Sequence, residues 1–149
     1  MSKIVGDNMS DFDYAGDLSP QEAWEMLKSK KDCNLLDCRT FAEWQFVGIP
    51  DLSEINKKAL FIEWQTFPVM QKNDNFLQEI VNSGVDKDTK LIIICRSGAR
   101  SRSAAEFLTT QGYNNCYNLS EGFEGGHDSR SHRGNVNGWK FSGLPWKQG

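Results

Sequence analysis

The sequence predicts an α/β domain built on a mainly parallel sheet, and three observations carry that expectation. Helix-like and strand-like segments alternate along the chain, as in sheets whose strands are joined by crossover helices. One segment, Leu91-Ile92-Ile93-Ile94, is an unbroken apolar run, which a strand covered on both faces requires. Two helix starts are written out as capping boxes, Ser19-Pro20-Gln21-Glu22 and Thr40-Phe41-Ala42-Glu43.

Taken in order, residues 1–17 read as a flexible lead and 18–149 as a single domain. Ser19 caps the first helix, with Pro20 at its first position and Ala23, Trp24 and Leu27 on one face. Lys28, Lys30 and Lys31 suit the negative end of its dipole. Cys33 to Cys38 reads as a short buried strand, and the helix opened by Thr40 breaks near Gly48 and Pro50. Ala59 to Trp64 is a further strand candidate. Phe76, Leu77, Ile80 and Val81 have helical spacing, and Asn82-Ser83-Gly84 supplies a stop. The apolar run ends at Cys95, and Ala104, Ala105, Phe107 and Leu108 mark a helix that stops at Gly112. Asn115 to Leu119 is a last short strand. From about residue 121 to 149 the chain is irregular and rich in glycine, with Phe123, Trp139, Phe141 and Trp146 expected to anchor it on the core.

Composition narrows the function classes. The 149 residues, 38% hydrophobic and 25% charged, are those of one soluble globular domain. A net charge of −3 gives no basic surface for nucleic acid, so attraction for an anion has to come from a local site. No apolar run approaches the roughly 20 residues needed to cross a bilayer. The polar, acidic opening segment lacks the features of a signal peptide. Cys33, Cys38, Cys95 and Cys116 have no CxxC spacing, and with His127 and His132 they form no zinc pattern. They read as thiols in a reducing, cytoplasmic compartment. No metal or organic cofactor is implied by any motif, and the sequence leaves the oligomeric state open, with a monomer favoured.

The chemistry points to Cys95-Arg96-Ser97-Gly98-Ala99-Arg100-Ser101. A thiol stands at the carboxyl end of a buried strand, the edge where parallel α/β sheets bind ligands. Small residues at Ser97, Gly98 and Ala99 let the backbone curl so that successive N–H groups point inward. Such a nest, backed by a helix N-terminus, binds anions and favours a thiolate. Arg96, Arg100 and Arg102 add positive charge. A cysteine ending an apolar strand is usually a buried small residue. The arginines and the glycine turn that follow shift the balance toward a reactive thiol.

This segment resembles the active-site loop of single-domain members of the rhodanese family. Leu35-Leu36-Asp37-Cys38-Arg39-Thr40-Phe41-Ala42-Glu43-Trp44, followed by Gly48-Ile49-Pro50, is similar to the family's early signature. Leu119-Ser120-Glu121-Gly122-Phe123 and Gly143-Leu144-Pro145 resemble its closing segment. The likeness runs from about Leu18 to Trp146 and departs from the family at three places. The histidine usual before Ile49-Pro50 is missing, Cys38 replaces a more usual valine, and the 125–138 stretch is longer, which bears on the mouth of the site.

The resemblance implies a three-layer fold with a mainly parallel central sheet of about five strands flanked by helices. It also implies sulfur transfer, from a small anionic donor such as thiosulfate through a Cys95 persulfide to cyanide or a protein thiol. Cys95 and Arg100 would be the catalytic residues. Arg96, Ser97, Gly98, Ala99 and Ser101 would bind the substrate, and Arg96 and Arg100 would hold its charge. Asp37 and Arg39 are expected to be a scaffold pair, Cys33 and Cys116 packing residues, and His127 and His132 solvated. Cys38 is expected at the same sheet edge as Cys95, either as filler or as a resolving thiol. Two rival readings stand beside this one. A phosphatase or arsenate reductase would have five residues between cysteine and arginine, where this loop has four. A non-enzymatic interaction or sulfur-relay module is the other.

Overall fold

The computed structural model describes residues 13–148. In chain order the elements are β1 (Gly16–Leu18), α1 (Pro20–Ser29), β2 (Cys33–Asp37), α2 (Phe41–Phe46), β3 (Ile49–Pro50), β4 (Leu60–Phe61) and β5 (Gln65–Thr66). They continue with β6 (Gln71–Lys72), α3 (Phe76–Asn82), β7 (Lys90–Ile94), α4 (Ala99–Thr110), β8 (Cys116–Leu119) and β9 (Trp146–Lys147). Five strands form one sheet in the order β1-β8-β7-β2-β4, and every neighbouring pair is parallel. The remaining strands make two short antiparallel ribbons, β3-β9 and β5-β6.

Strand periodicity sorts the core into two layers. Side chains alternate across a strand, so β7 sends Leu91 and Ile93 to one face and Ile92 and Ile94 to the other. The first face packs under α3 and α4, through Phe76, Ile80, Ala104, Ala105 and Leu108. The second packs against Ala23 and Leu27 of α1 and against Phe123 and Trp139 of the C-terminal segment. All four apolar residues of the β7 run are buried, as an unbroken apolar strand predicts.

The capping signals act where the sequence places them. Ser19 Oγ accepts the Glu22 N–H at 3.1 Å, and Glu22 accepts the Ser19 N–H at 2.8 Å. At the other end of α1, Lys57 Nζ donates to the carbonyls of Leu27, Lys30 and Cys33 at 2.6–2.7 Å. An ammonium thus meets the negative end of the helix.

Three expectations need correction. The lead is shorter than 1–17: Tyr14 is buried and Gly16–Leu18 pairs with β8, while residues 1–12 lie outside the described residues. This edge strand is three residues long and pairs with a segment a hundred residues away, so it leaves no local pattern. The strand expected over Ala59 to Trp64 is only Leu60–Phe61, although Ile62 and Trp64 are buried beyond it. Phe141 and Trp146 are not buried core anchors; they are 55% and 38% exposed, whereas Phe123 and Trp139 are fully buried. Among the described residues no helix is long and apolar enough to cross a membrane.

Candidate active site

The sheet order creates the site. From β7 the chain moves through α4 to β8 on one side, and from β2 through α2 to β4 on the other. The carboxyl ends of β2 and β7 therefore border a topological switch point, where α/β sheets open a crevice. Asp37 and Ile94 are register partners there, and the Cys38 N–H donates to the Ile94 carbonyl at 3.0 Å. Cys95 follows immediately.

The loop after Cys95 is held by its carbonyls. The Phe123 N–H donates to the Cys95 carbonyl at 2.8 Å, and those of Glu124 and Gly125 donate to the Arg96 carbonyl at 3.0 and 3.2 Å. With the carbonyls tied outward, N–H groups face the sulfur: Gly98 N lies 3.2 Å and Ser101 N 3.3 Å from Cys95 Sγ. The Ser101 hydroxyl is 3.2 Å from the same atom. Gly98 has φ +108°, and a Cβ there would lie 2.2 Å from the Ser120 carbonyl oxygen, so only glycine fits. Ala99, Arg100 and Ser101 form the first turn of α4, whose N–H groups have no acceptor one turn back. The sulfur thus sits at the positive end of a helix.

Above it opens a cleft of about 1020 Å³. Its floor is Cys95, with Arg96, Ser97, Ala99 and Arg100 around it. Thr40, Ala42 and Glu43 enter from the β2 side. Part of the rim is apolar, with Phe46, Phe67 and Met70; His127, His132 and Arg133 also line the cleft. The long 125–138 stretch therefore does shape the mouth. Asp128 folds that stretch by accepting the N–H groups of Arg130 and His132 and the Asn135 amide at 2.8–2.9 Å. Arg133 is anchored by donating to the Gly125 carbonyl at 2.7 Å. His127 and His132 are exposed, as expected, but their place at the cleft mouth had no sequence signal.

Glu43 is the residue that sequence reasoning missed. Arg100 lines the cleft, yet its two terminal nitrogens bind the Glu43 carboxylate at 2.7 and 2.9 Å. Its charge is therefore already matched within the protein, whereas Arg96 lies exposed on the loop. Glu43 Oε1 also accepts the N–H and hydroxyl of Thr40, closing the capping box of α2. Burial alone would raise the Glu43 carboxyl, but the Arg100 and Thr40 hydrogen bonds and the Arg100 charge outweigh it and hold it at about 2. The capping pattern was visible in the sequence. The partner 57 residues away was not.

Other singled-out residues are structural in their surroundings. Asp37 and Arg39 are both fully buried and joined at 2.7 Å; Arg39 also donates to the Gly48 carbonyl and stacks over Phe123 at 4.3 Å. This is the expected scaffold pair. Cys38 is fully buried in the same apolar cluster as Cys95. Burial first, then the nearby Cys95 and Asp37, push its thiol well above the ordinary range. Burial likewise raises Cys33 to about 11 and Cys116 to about 12, as packing residues.

Comparison with known proteins now places the chain. The family model for the STR4 middle domain matches residues 15–149. The uncharacterised protein RC0915 of Rickettsia conorii is 44% identical over 126 residues, covering 85% of this chain and 92% of the relative. The crystal structure of Rv0390 from M. tuberculosis superposes with a TM-score of 0.84 at 45% identity, covering 91% of this chain and 99% of that one. More distantly, the thiosulfate sulfurtransferase GlpE of Actinobacillus pleuropneumoniae is 26% identical over 129 residues, covering 87% of this chain and 90% of the relative. A rhodanese-like domain protein from Staphylococcus aureus shares the fold at 22% identity and a TM-score of 0.53, over 72% of this chain and 86% of that one. With a sulfur cradled at the carboxyl edge of a five-stranded parallel sheet and a match that begins at residue 15, this chain belongs to the rhodanese-like family.

Proposed function

We propose that the chain is a sulfurtransferase that carries sulfur on Cys95. The observation that carries this reading is the pair of N–H groups, from Gly98 and Ser101, directed at Cys95 Sγ on the cleft floor. In the first half-reaction the Cys95 thiolate attacks the outer sulfur of thiosulfate. The S–S bond of the donor breaks, sulfite leaves with the electron pair, and Cys95 holds a persulfide anion. In the second, a nucleophile such as cyanide or a thiolate takes the outer sulfur and returns Cys95 as thiolate. This is covalent catalysis in two steps with ping-pong kinetics. Oriented N–H groups that need no rearrangement supply the electrostatic stabilisation of each anion.

Thiosulfate is supported as donor by the distant GlpE relatives, which carry that activity in their name. Arg96 beside the sulfur and Arg133 on the rim are the cations available to meet its charge. The cleft is much larger than such a tetrahedral ion needs, and its apolar rim at Phe46, Phe67 and Met70 favours a protein thiol as the second substrate. The Glu43–Arg100 pair weighs against the phosphatase reading, because it occupies the guanidinium that a phosphoryl group would need.

Intact mass after thiosulfate treatment tests the proposal. Wild type gains one sulfur atom, removable by a thiol reductant, and Cys95→Ser gains none. A wild type that takes up no sulfur from thiosulfate or from an organic persulfide sinks the sulfurtransferase reading and leaves an interaction module.

A further inference from the structure

Behind the Cys95 sulfur a line of hydrogen bonds leads away from the cleft. Ser101 Oγ is 3.2 Å from Sγ and 2.5 Å from Asn118 Oδ1. Asn118 Nδ2 donates to Asp17 Oδ1 at 3.2 Å, and the Tyr14 hydroxyl donates to the same oxygen at 2.7 Å. Ser101 is fully buried and Asn118 nearly so.

The direction of each bond is forced from the far end. A carboxylate only accepts, so Asn118 must turn its amide N–H toward Asp17 and its carbonyl oxygen toward Ser101. Burial, and then Asp17, raise the Tyr14 hydroxyl to about 12, so it stays a donor and cannot reverse the line. An amide oxygen also only accepts, so the single proton of Ser101 is drawn to Asn118 Oδ1 at 2.5 Å. This is the nearer of its two oxygen acceptors, the other being the Gly98 carbonyl at 3.3 Å. What Ser101 then offers to Cys95 is an oxygen lone pair, and only the S–H of a thiol can use it.

We propose that Asn118 and Asp17 are positioning residues that restrain the Cys95 nucleophile by holding the Ser101 proton away from its sulfur. The Gly98 and Ser101 N–H groups favour the thiolate, and the Ser101–Asn118–Asp17 line favours the thiol. When the S–H bond breaks and its proton leaves to solvent, the Ser101 O–H swings from Asn118 to the sulfur anion. The same turn serves the persulfide. Other charged or titratable groups facing this region are Arg96 on the loop, Arg100 with Glu43, Cys38 and Asp37 at the end of β2, and, on α4, Glu106 and Arg102, the latter 6.0 Å from the Tyr14 ring. None of them touches the Ser101 hydroxyl or the Asn118 amide among the described bonds.

The inference rests on Cys95 being the reactive thiol of the proposed function, but its readout needs no sulfur donor. The full chain is alkylated with iodoacetamide across a pH series, and modification of Cys95 is located by peptide mass mapping. Ser101→Ala removes the hydroxyl that would follow the anion, so half-maximal alkylation moves up by about one pH unit. Asn118→Leu removes the nearer acceptor of the Ser101 proton and leaves only the longer contact to the Gly98 carbonyl, so the midpoint moves down by about one unit. The double variant follows Ser101→Ala. Asp17→Asn, at an exposed position, lets the Asn118 amide reverse and gives a smaller downward move even if Asn118→Leu does not fold. A purely structural role would move all variants the same way. Midpoints for Asn118→Leu or Asp17→Asn that stay put or rise overturn the relay. Failure of thiosulfate uptake with opposite-signed shifts intact would instead remove only the sulfurtransferase reading.

Discussion

Glu43 shows how much one side chain can carry when its neighbours come from different parts of the chain. It completes the capping box with Thr40 and clamps Arg100 beside the loop that follows Cys95. Its carboxyl is ordinarily near 4.5 and is held at about 2 in the fold. A carboxyl depressed by folding contributes stability that is complete above its ordinary value and is lost as pH falls toward the folded one. The wild type should therefore weaken between about pH 4.5 and 2 by a component that Glu43→Gln lacks. At neutral pH that variant should cost on the order of 2 kcal/mol, because it leaves a largely buried guanidinium without its counterion. Urea titrations of both proteins across this range check the sign. Parallel stability–pH curves would mean that the pair contributes nothing. At this scale the sequence exposed Cys95, the glycine turn and the capping partner. It hid the Arg100 contact and the rim histidines, which depend on where distant backbone segments meet.

Helix α1 illustrates what is local in an element and what is not. Its start, its apolar face and its lysine-rich end were all legible in Ser19 to Lys31, because caps and periodicity act within one or two turns. Its C-terminal clamp is Lys57, which joins three carbonyls from across the loop after β3 and has no local signature. Lys57→Met keeps most of the side-chain volume and loses all three charge-assisted bonds. It should lower the urea midpoint by the equivalent of about 1–2 kcal/mol with an unchanged slope. An unaltered midpoint would mean that water replaces the ammonium without loss. The same division separates β7 and α4, which were legible from their residues, from β1 and β9. Those two strands are three and two residues long and exist because a distant partner offers its edge.

On the scale of the whole molecule, the C-terminal segment is both part of the core and the outer wall of the site. Trp139 is fully buried against the α1 side of the sheet, and its indole N–H donates to the Pro145 carbonyl at 2.7 Å. Its own N–H donates to the Gly122 carbonyl, one residue before the amides that hold the Cys95 and Arg96 carbonyls. Gly122 is packed so closely on the loop that a Cβ would lie 2.4 Å from the Arg96 oxygen. The geometry of the sulfur cradle is therefore supported by a hydrophobic anchor well removed from the cleft. Trp139→Ala should cost about 3–5 kcal/mol, as expected for an aromatic removed from a packed core. The loss should not fall evenly. Amides of residues 122–125 should lose hydrogen-exchange protection before those of β7, which is buried on both faces, and sulfur loading of Cys95 should decline with them. Exchange measured by mass spectrometry under native conditions separates the alternatives. Equal loss across both segments would mean that the anchor stabilises the fold as one unit, with no special hold on the site.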